Sequence, residues 1–105
     1  MSDPIHIVTT TEHRSDAERI ARVLIQRRLA ACVQISGPIT SIYRWQGAVE
    51  TNQEWRCVAK TDRSKYQQSE QAIRELHPYE VPEIVALPIV AGSQAYLDWL
   101  QASLK

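Results

Sequence analysis

The stretch from Ala31 to Asp62 constrains the fold most strongly, because it is predicted to form one long β-hairpin. Both arms are rich in β-branched and aromatic residues. Gln46-Gly47 lies between them, and Gly47 can adopt the positive φ that a two-residue turn requires. An arm of about fifteen residues, at ~3.3 Å per residue, reaches ~50 Å.

The rest of a chain of 105 residues cannot cover the far end of this hairpin. A helix predicted over 16–29 spans only ~21 Å at ~1.5 Å per residue. We therefore expect another copy of the chain to cover the far end, in a closed oligomer that also pairs the exposed sheet edges. The far end carries the apolar residues Ile39, Ile42, Tyr43, Trp45 and Val49.

The two arms cannot keep one register along their whole length. If the strands pair without interruption from the two-residue turn (flush pairing), Cys57 lies opposite Ser36. Val33 and Ile35 then point away from the apolar face that contains Cys57. A slip of one residue returns both to the core. We predict a bulge or break at Gly37-Pro38 that makes this slip.

Three capping signals predict where the helices begin. Ser15 with Glu18 and Ser64 with Gln67 match capping boxes, and Ser93 is a simple N-cap. In chain order, the predicted elements are a strand at 5–10, a helix over 16–29, the hairpin, a helix ending at Leu76 before His77-Pro78, a strand at 83–90 and a helix over 94–103.

This order, β-α-β-β-α-β with a terminal helix, predicts an α+β ferredoxin-like sandwich as a single domain over 1–105. In that topology strands one and three are central, whereas two and four are edges. Pro38 and Pro88 fall in strands two and four, which agrees, because proline cannot donate to a sheet ladder.

Composition excludes several classes of protein. Lysines plus arginines equal aspartates plus glutamates, so the formal net charge is zero, which argues against a nucleic-acid binder. Met1-Ser2-Asp3-Pro4 does not resemble a signal peptide, and no segment is predicted to span a membrane. We therefore expect a cytoplasmic protein whose Cys32 and Cys57 are free thiols. With only three glycines and no catalytic motif, we expect no enzyme.

Five motifs together resemble the CutA family of divalent-ion tolerance proteins, in the family's order and spacing. The resemblance implies a ferredoxin-like homotrimer in which hairpins of neighbouring subunits join into shared sheets. It also implies a cytoplasmic protein linked to copper and other divalent cations. The motifs are R-R-L-A-A-C-V at 27–33, S-I-Y-R-W-Q-G at 41–47, A-K-T at 59–61, E-L-H-P-Y-E-V-P-E-I at 75–84 and Y-L-D-W-L at 96–100.

The resemblance also points to metal ligands. Some relatives are thought to bind copper through a cysteine late in strand one and a histidine pair before the Pro-Tyr. Here those positions hold Thr9 and Leu76-His77. His77 and Cys32 are the candidate ligands. As alternatives, His77 satisfies the end of its helix, and Cys32 and Cys57 pack as small apolar side chains.

A second candidate group surrounds the hairpin and the His77–Ile84 turn. In a closed trimer such residues could line a cleft between subunits that takes a small anionic or metal ligand. As an alternative, the aromatic rings bury area at the interface while the lysine and the glutamates pair across it. The residues of the group are Tyr43, Trp45, Lys60, Tyr79, Glu80 and Glu83.

Three functional hypotheses follow. The leading one is a trimeric cytoplasmic protein that binds divalent cations, copper among them, and serves metal tolerance. The alternative is a small-molecule sensor or scaffold, by fold-level analogy with the PII-type trimers, which bind ligands in the clefts between subunits. A third is a purely structural assembly that binds no ligand.

Overall fold

The computed structural model describes residues 2–105, which form a four-stranded antiparallel sheet in the order β2-β3-β1-β4. The predicted α+β ferredoxin-like fold, with strands one and three central, is confirmed. No helix within this range is both long and apolar enough to cross a membrane. The elements are β1 Pro4–Thr11, α1 Arg14–Gln26, β2 Cys32–Trp45, β3 Ala48–Asp62, a 3-10 turn Arg63–Lys65, α2 Tyr66–Leu76, β4 Val85–Pro88 and α3 Gln94–Ser103.

The predicted hairpin turn lies at Gln46-Gly47, where both residues have positive φ, 50° and 81°. This combination matches the right-handed twist of the flanking strands. Pairing is flush from Trp45 opposite Ala48 to Ile39 opposite Glu54. The turn therefore sets the register of the far half of the hairpin only.

The predicted bulge is present between Ser36 and Ile39, where the register shifts by one residue. The Gly37–Pro38 peptide bond within it is cis. Because side chains alternate along a strand, the shift exchanges the two faces of β2. Before the bulge, Ile35 lies opposite Cys57 on the helix-facing side. Beyond it, Tyr43 lies opposite Glu50 on the other side of the sheet, which we call the open face.

The core lies between the sheet and the first two helices. Ala17, Ile20 and Leu24 of α1 recur at helical spacing and are buried against it. As the slip requires, Val33 and Ile35 pack on this core. Its buried members are Ile5, Ile7, Ala17, Ile20, Leu24, Leu29, Ala30, Cys57, Ala59, Ala72 and Ile73.

Two capping predictions are wrong. The α1 helix begins at Arg14 rather than after Ser15, because the His13 carbonyl already accepts from the amides of Asp16 and Ala17. The helix also ends at Gln26 instead of residue 29, since Arg28 adopts a left-handed φ of 56°.

Ser64 does not cap the second helix as predicted, because Asp62 is the N-cap of the 3-10 turn that precedes it. The Asp62 carboxylate accepts from the Ser64 amide at 3.0 Å and starts the 3-10 turn before α2. A carboxylate is a stronger acceptor than a serine hydroxyl. The third prediction is confirmed, since Ser93 Oγ accepts from the amide of Tyr96 and α3 begins at Gln94.

Asp62 joins three parts of the fold. Besides the Ser64 amide, its carboxylate accepts from the Asp3 amide at 2.6 Å and from Gln101 Nε2 at 2.9 Å. Burial by itself would raise the pKa of Asp62, but these hydrogen bonds outweigh it and lower the pKa to about 2. The carboxylate therefore ties the end of β3 to the start of β1 and to α3.

β4 is shorter than predicted, four residues rather than 83–90. Only Val85–Pro88 pairs with β1, opposite Ile5–Val8. The preceding residues instead belong to the turn that leaves α2. The strand is at an edge of the sheet, as its proline predicts.

The far half of the hairpin extends beyond the helices, as its length predicts. The chain is 45 Å along its longest axis, whereas the thirteen residues of α1 span only ~20 Å. Ile42 is 70% exposed and Val49 is 64% exposed, on the side of the sheet that the helices cover elsewhere. One chain by itself leaves these apolar side chains in water.

We expect Gly37→Ala to destabilise the protein far more than Gly47→Ala. A Cβ at Gly37, where φ is 154°, would meet Trp55 Cε3 at 2.8 Å and the Glu54 carbonyl at 3.0 Å. A Cβ at Gly47 would meet nothing within 4 Å. The expected losses in free energy of unfolding are ~3 kcal/mol and ~1 kcal/mol. Urea unfolding at one fixed protein concentration measures both, and equal losses would contradict the role of the bulge.

Candidate functional site

The turn that leaves α2 is fixed to the sheet by His77. Its Nε2–H donates to the Thr10 carbonyl at 2.8 Å, and its Nδ1 accepts from the Tyr79 amide at 3.1 Å. Because an amide can only donate, Nδ1 carries a lone pair and the ring is the neutral Nε2–H tautomer. The His77 and Tyr79 rings also touch, with centroids 4.7 Å apart. These contacts hold the turn against β1 and place Tyr79 next to the hairpin.

Tyr79 completes the connection between the turn and the hairpin. Its hydroxyl donates to Glu54 Oε2 at 2.7 Å. Burial, the hydrogen bond to Glu54 and the negative charge of Glu54 all raise the pKa of Tyr79 well above its usual range. The phenol therefore stays protonated and acts as a donor. Glu54 lies opposite Ile39, where the flush part of the hairpin meets the bulge.

A groove of about 480 Å³ lies between the turn and the far half of the hairpin. It contains three aromatic rings and three carboxylates, and within residues 2–105 no lysine, arginine or histidine lines it. The bulge places Ser41, Tyr43 and Trp45 on the open face, where the turn can meet them. The lining residues are Thr10, Ser41, Tyr43, Trp45, Glu54, Tyr79, Glu80, Val81 and Glu83.

The structure brings five of the six predicted cleft residues together in this groove. Lys60 is the exception. It lies opposite His6 in the middle of the sheet, with its ammonium 5.7 Å from the centroid of the Tyr96 ring of α3. That a second subunit closes the groove into a cleft stays a prediction.

Sequence reasoning missed four lining residues, Thr10, Ser41, Glu54 and Val81. Glu54 could have been found from the slip, because it is the β3 residue at which flush pairing stops. Ser41 shares the alternation of Tyr43 and could also have been included. The contact of Thr10 with the turn depends on His77 reaching its carbonyl, which no local pattern signals.

The two candidate metal ligands are far apart. His77 contacts Thr10, which lies opposite Arg56, whereas Cys32 lies opposite Lys60. Arg56 and Lys60 are four residues apart on β3, or ~13 Å along the strand. Both ring nitrogens of His77 are hydrogen-bonded, so a metal would have to replace one of these bonds. In the described part of the chain, no three His, Cys, Asp or Glu side chains are grouped to hold a metal ion.

The two thiols are also separated from each other. Cys57 lies in the core facing the helices, and burial raises its pKa to about 11. Cys32 is half-buried and lies opposite Lys60, on the open face. Because they are on opposite faces of the sheet, they cannot form a disulfide without rearranging the strands. Both cysteines are free.

Thr9 lies near the end of β1, at the position that the family resemblance singles out. It lies opposite Cys57 on the core side of the sheet and is 1% exposed. Its Oγ1 is the one buried side-chain oxygen or nitrogen between residues 2 and 105 that has no hydrogen-bond partner. Thr61, on the same face, is equally buried but donates to the Leu29 carbonyl at 2.6 Å.

We expect Thr9→Val and Thr61→Val to change stability in opposite directions. Removing the Thr9 hydroxyl relieves an unsatisfied polar group, so the free energy of unfolding should rise by ~1 kcal/mol. Removing the Thr61 hydroxyl breaks a buried hydrogen bond and should lower it by ~1–2 kcal/mol. Thermal and urea unfolding measure both. A loss of stability in Thr9→Val would show that this hydroxyl has a partner.

Comparison with known proteins agrees with this geometry. The family model described as CutA1 divalent ion tolerance protein matches residues 5–103. The Divalent-cation tolerance protein CutA of Thermus thermophilus is 46% identical over 95 residues, which cover 90% of this chain and 92% of that protein. The chloroplastic Protein CutA of Arabidopsis thaliana is 37% identical over 101 residues, covering 96% of this chain but only 56% of that longer protein.

Solved structures give the same result. The crystal structure of CutA from Xylella fastidiosa superimposes with a TM-score of 0.95 and 38% identity, covering 99% of this chain and all of the other. The structural likeness therefore includes the hairpin, the His77–Ile84 turn and the terminal helix, as well as the central sheet.

Proposed function

This chain belongs to the CutA family of divalent-cation tolerance proteins, and on that premise we propose that it binds divalent cations, copper among them, as a cytoplasmic homotrimer without enzymatic activity. The observation that carries the proposal is the family match over residues 5–103. The proposal has two parts that can be tested separately, the assembly and the metal.

The exposed far half of the hairpin supports the assembly. Ile42 and Val49 are large apolar side chains in water, and Tyr43 and Trp45 on the other face are 41% and 39% exposed. β2 and β4 are both open edges of the sheet. A closed ring of three chains would cover the apolar residues and use both edges, which would otherwise invite uncontrolled association.

Binding of a metal ion by His77 and Cys32 requires donors from more than one chain. Within one chain the side chains do not fit a metal site, because His77 and Cys32 are far apart and both nitrogens of His77 are hydrogen-bonded. Cys32 lies on β2, an edge strand, where a neighbouring subunit can approach it. Copper prefers imidazole and thiolate ligands, which this edge and the His77 turn could supply between two subunits.

We expect the protein to sediment as a trimer, and Ile42→Glu to dissociate it. A charge at this position would have to be buried in the assembly, which is costly without a partner. Ile25→Glu is the control, because Ile25 is an exposed apolar residue on α1, away from the far half of the hairpin. Sedimentation velocity should give three times the 12.0 kDa chain mass for wild type and for Ile25→Glu. A compact single chain at micromolar concentration for wild type would contradict the assembly.

Titration with Cu(II) and Zn(II) tests the metal part. We expect His77→Ala to weaken Cu(II) binding about tenfold or more, and His13→Ala, at an exposed position before α1, to leave it unchanged. Ile42→Glu should weaken binding as well, because the donors come from two chains. Isothermal titration calorimetry measures stoichiometry and affinity. Equal values for wild type and His77→Ala would remove His77 from the site.

A second candidate function is favoured by the groove at the His77–Ile84 turn. A cavity of about 480 Å³ with aromatic walls and a few polar groups is typical of a small-molecule site, since such sites are ~300–1,000 Å³. We propose as the alternative a trimeric sensor or scaffold that binds an organic ligand there. The analogy with PII-type trimers concerns the fold only.

A further inference from the structure

We propose that the groove between the hairpin and the His77–Ile84 turn binds a linear aliphatic polyamine. The inference rests on the second candidate function, because it names the ligand class for that groove, and it is independent of the metal proposal. It follows from a buried carboxylate, from the aromatic walls and from the spacing of the acidic groups.

Among the described residues of the chain, Glu54 is a buried acid that forms no ion pair. It is only 8% exposed, and its Oε2 accepts from the neutral hydroxyl of Tyr79. None of the ion pairs formed among residues 2–105 includes Glu54. A carboxylate taken out of water is costly unless a cation compensates it. The groove that Glu54 lines is where an external cation can approach it.

The aromatic walls suit a cation that also has apolar parts. The two cation–π contacts of the described chain involve Trp55 and Tyr96, which lie outside the groove. The groove's own rings, Tyr43, Trp45 and Tyr79, hold no such cation. Ring faces attract alkylammonium groups, and methylene chains pack against them. A bare metal ion would gain little from these rings.

The spacing of the carboxylates favours an extended ligand over a metal ion. Glu54, Glu80 and Glu83 all line the groove, yet they do not form a group that could hold a metal. A divalent ion needs several oxygens at ~2.0–2.6 Å from one point. A polyamine carries its charges several bonds apart, so it can meet separate carboxylates one at a time.

The charge around the groove agrees with this ligand. Besides the three lining glutamates, Glu12 lies near enough to raise the pKa of Tyr79, together with burial and Glu54. Arg56 lies opposite Thr10 but does not line the groove, so the lining itself, within the described chain, carries three acids and no basic group, although the whole chain has a formal net charge of zero. Such a field attracts cations and disfavours anionic ligands.

Titration of the full-length protein with spermidine tests the proposal. We expect saturable binding of one spermidine per chain, with quenching of tryptophan fluorescence that is lost in Trp45→Phe. Glu54→Gln and Glu83→Gln should each weaken binding about tenfold, because each removes one charge-assisted contact. Glu83 is exposed, so its variant tests the groove even if Glu54→Gln fails to fold.

Two controls make the result specific. Glu75→Gln, an exposed acid on α2 outside the groove, should bind spermidine as wild type does. A neutral diol of the same chain length should not bind. Spermidine that fails to bind wild type, or that binds Glu54→Gln and Glu83→Gln with unchanged affinity, overturns the proposal. Loss of the trimer in Glu54→Gln without spermidine binding in wild type would instead assign the carboxylate to a contact between subunits.

Discussion

The bulge between Ser36 and Ile39 is the constraint on which the other features depend. Strand side chains alternate with a period of two, so one inserted residue exchanges the faces of β2. The near half can then place Val33 and Ile35 in the core, while the far half turns Tyr43 and Trp45 to the open face. A continuous register could satisfy only one of these halves. Gly37 allows the slip, because a side chain there would collide with Trp55.

The groove exists because a second, distant segment is held against that far half. The hydrogen bond from His77 Nε2–H to the Thr10 carbonyl fixes the turn to β1, and the Tyr79–Glu54 hydrogen bond fixes it to the hairpin. Both contacts join residues far apart in the chain. The same bonds that shape the groove occupy the His77 nitrogens, so within one chain the turn is better suited to hold an organic ligand than a metal.

The metal and organic-ligand proposals place different demands on the assembly. The donors His77 and Cys32 are far apart in one chain, so a metal site requires a neighbouring subunit. The groove already has rings and carboxylates from one chain, so an organic ligand there does not require a donor from a neighbour. Both proposals assume that the chain assembles through the far half of the hairpin. A single chain leaves Ile42 and Val49 in water, so it gains stability by association.

The sequence by itself determined the element order, the edge strands, the hairpin turn and the slip at Gly37-Pro38, because these follow from local periodicity and backbone geometry. It also brought Tyr43, Trp45, Tyr79, Glu80 and Glu83 into one candidate group, because they are polar and aromatic residues of the hairpin and of the turn after α2. Helix starts were missed where another nearby acceptor, the His13 carbonyl or the Asp62 carboxylate, replaced a serine. Only the tertiary structure decided that Lys60 lies apart, that Glu54 is buried beside Tyr79, and that Thr9 lacks a partner. These outcomes depend on contacts between segments distant in the chain, for which local sequence carries no signal.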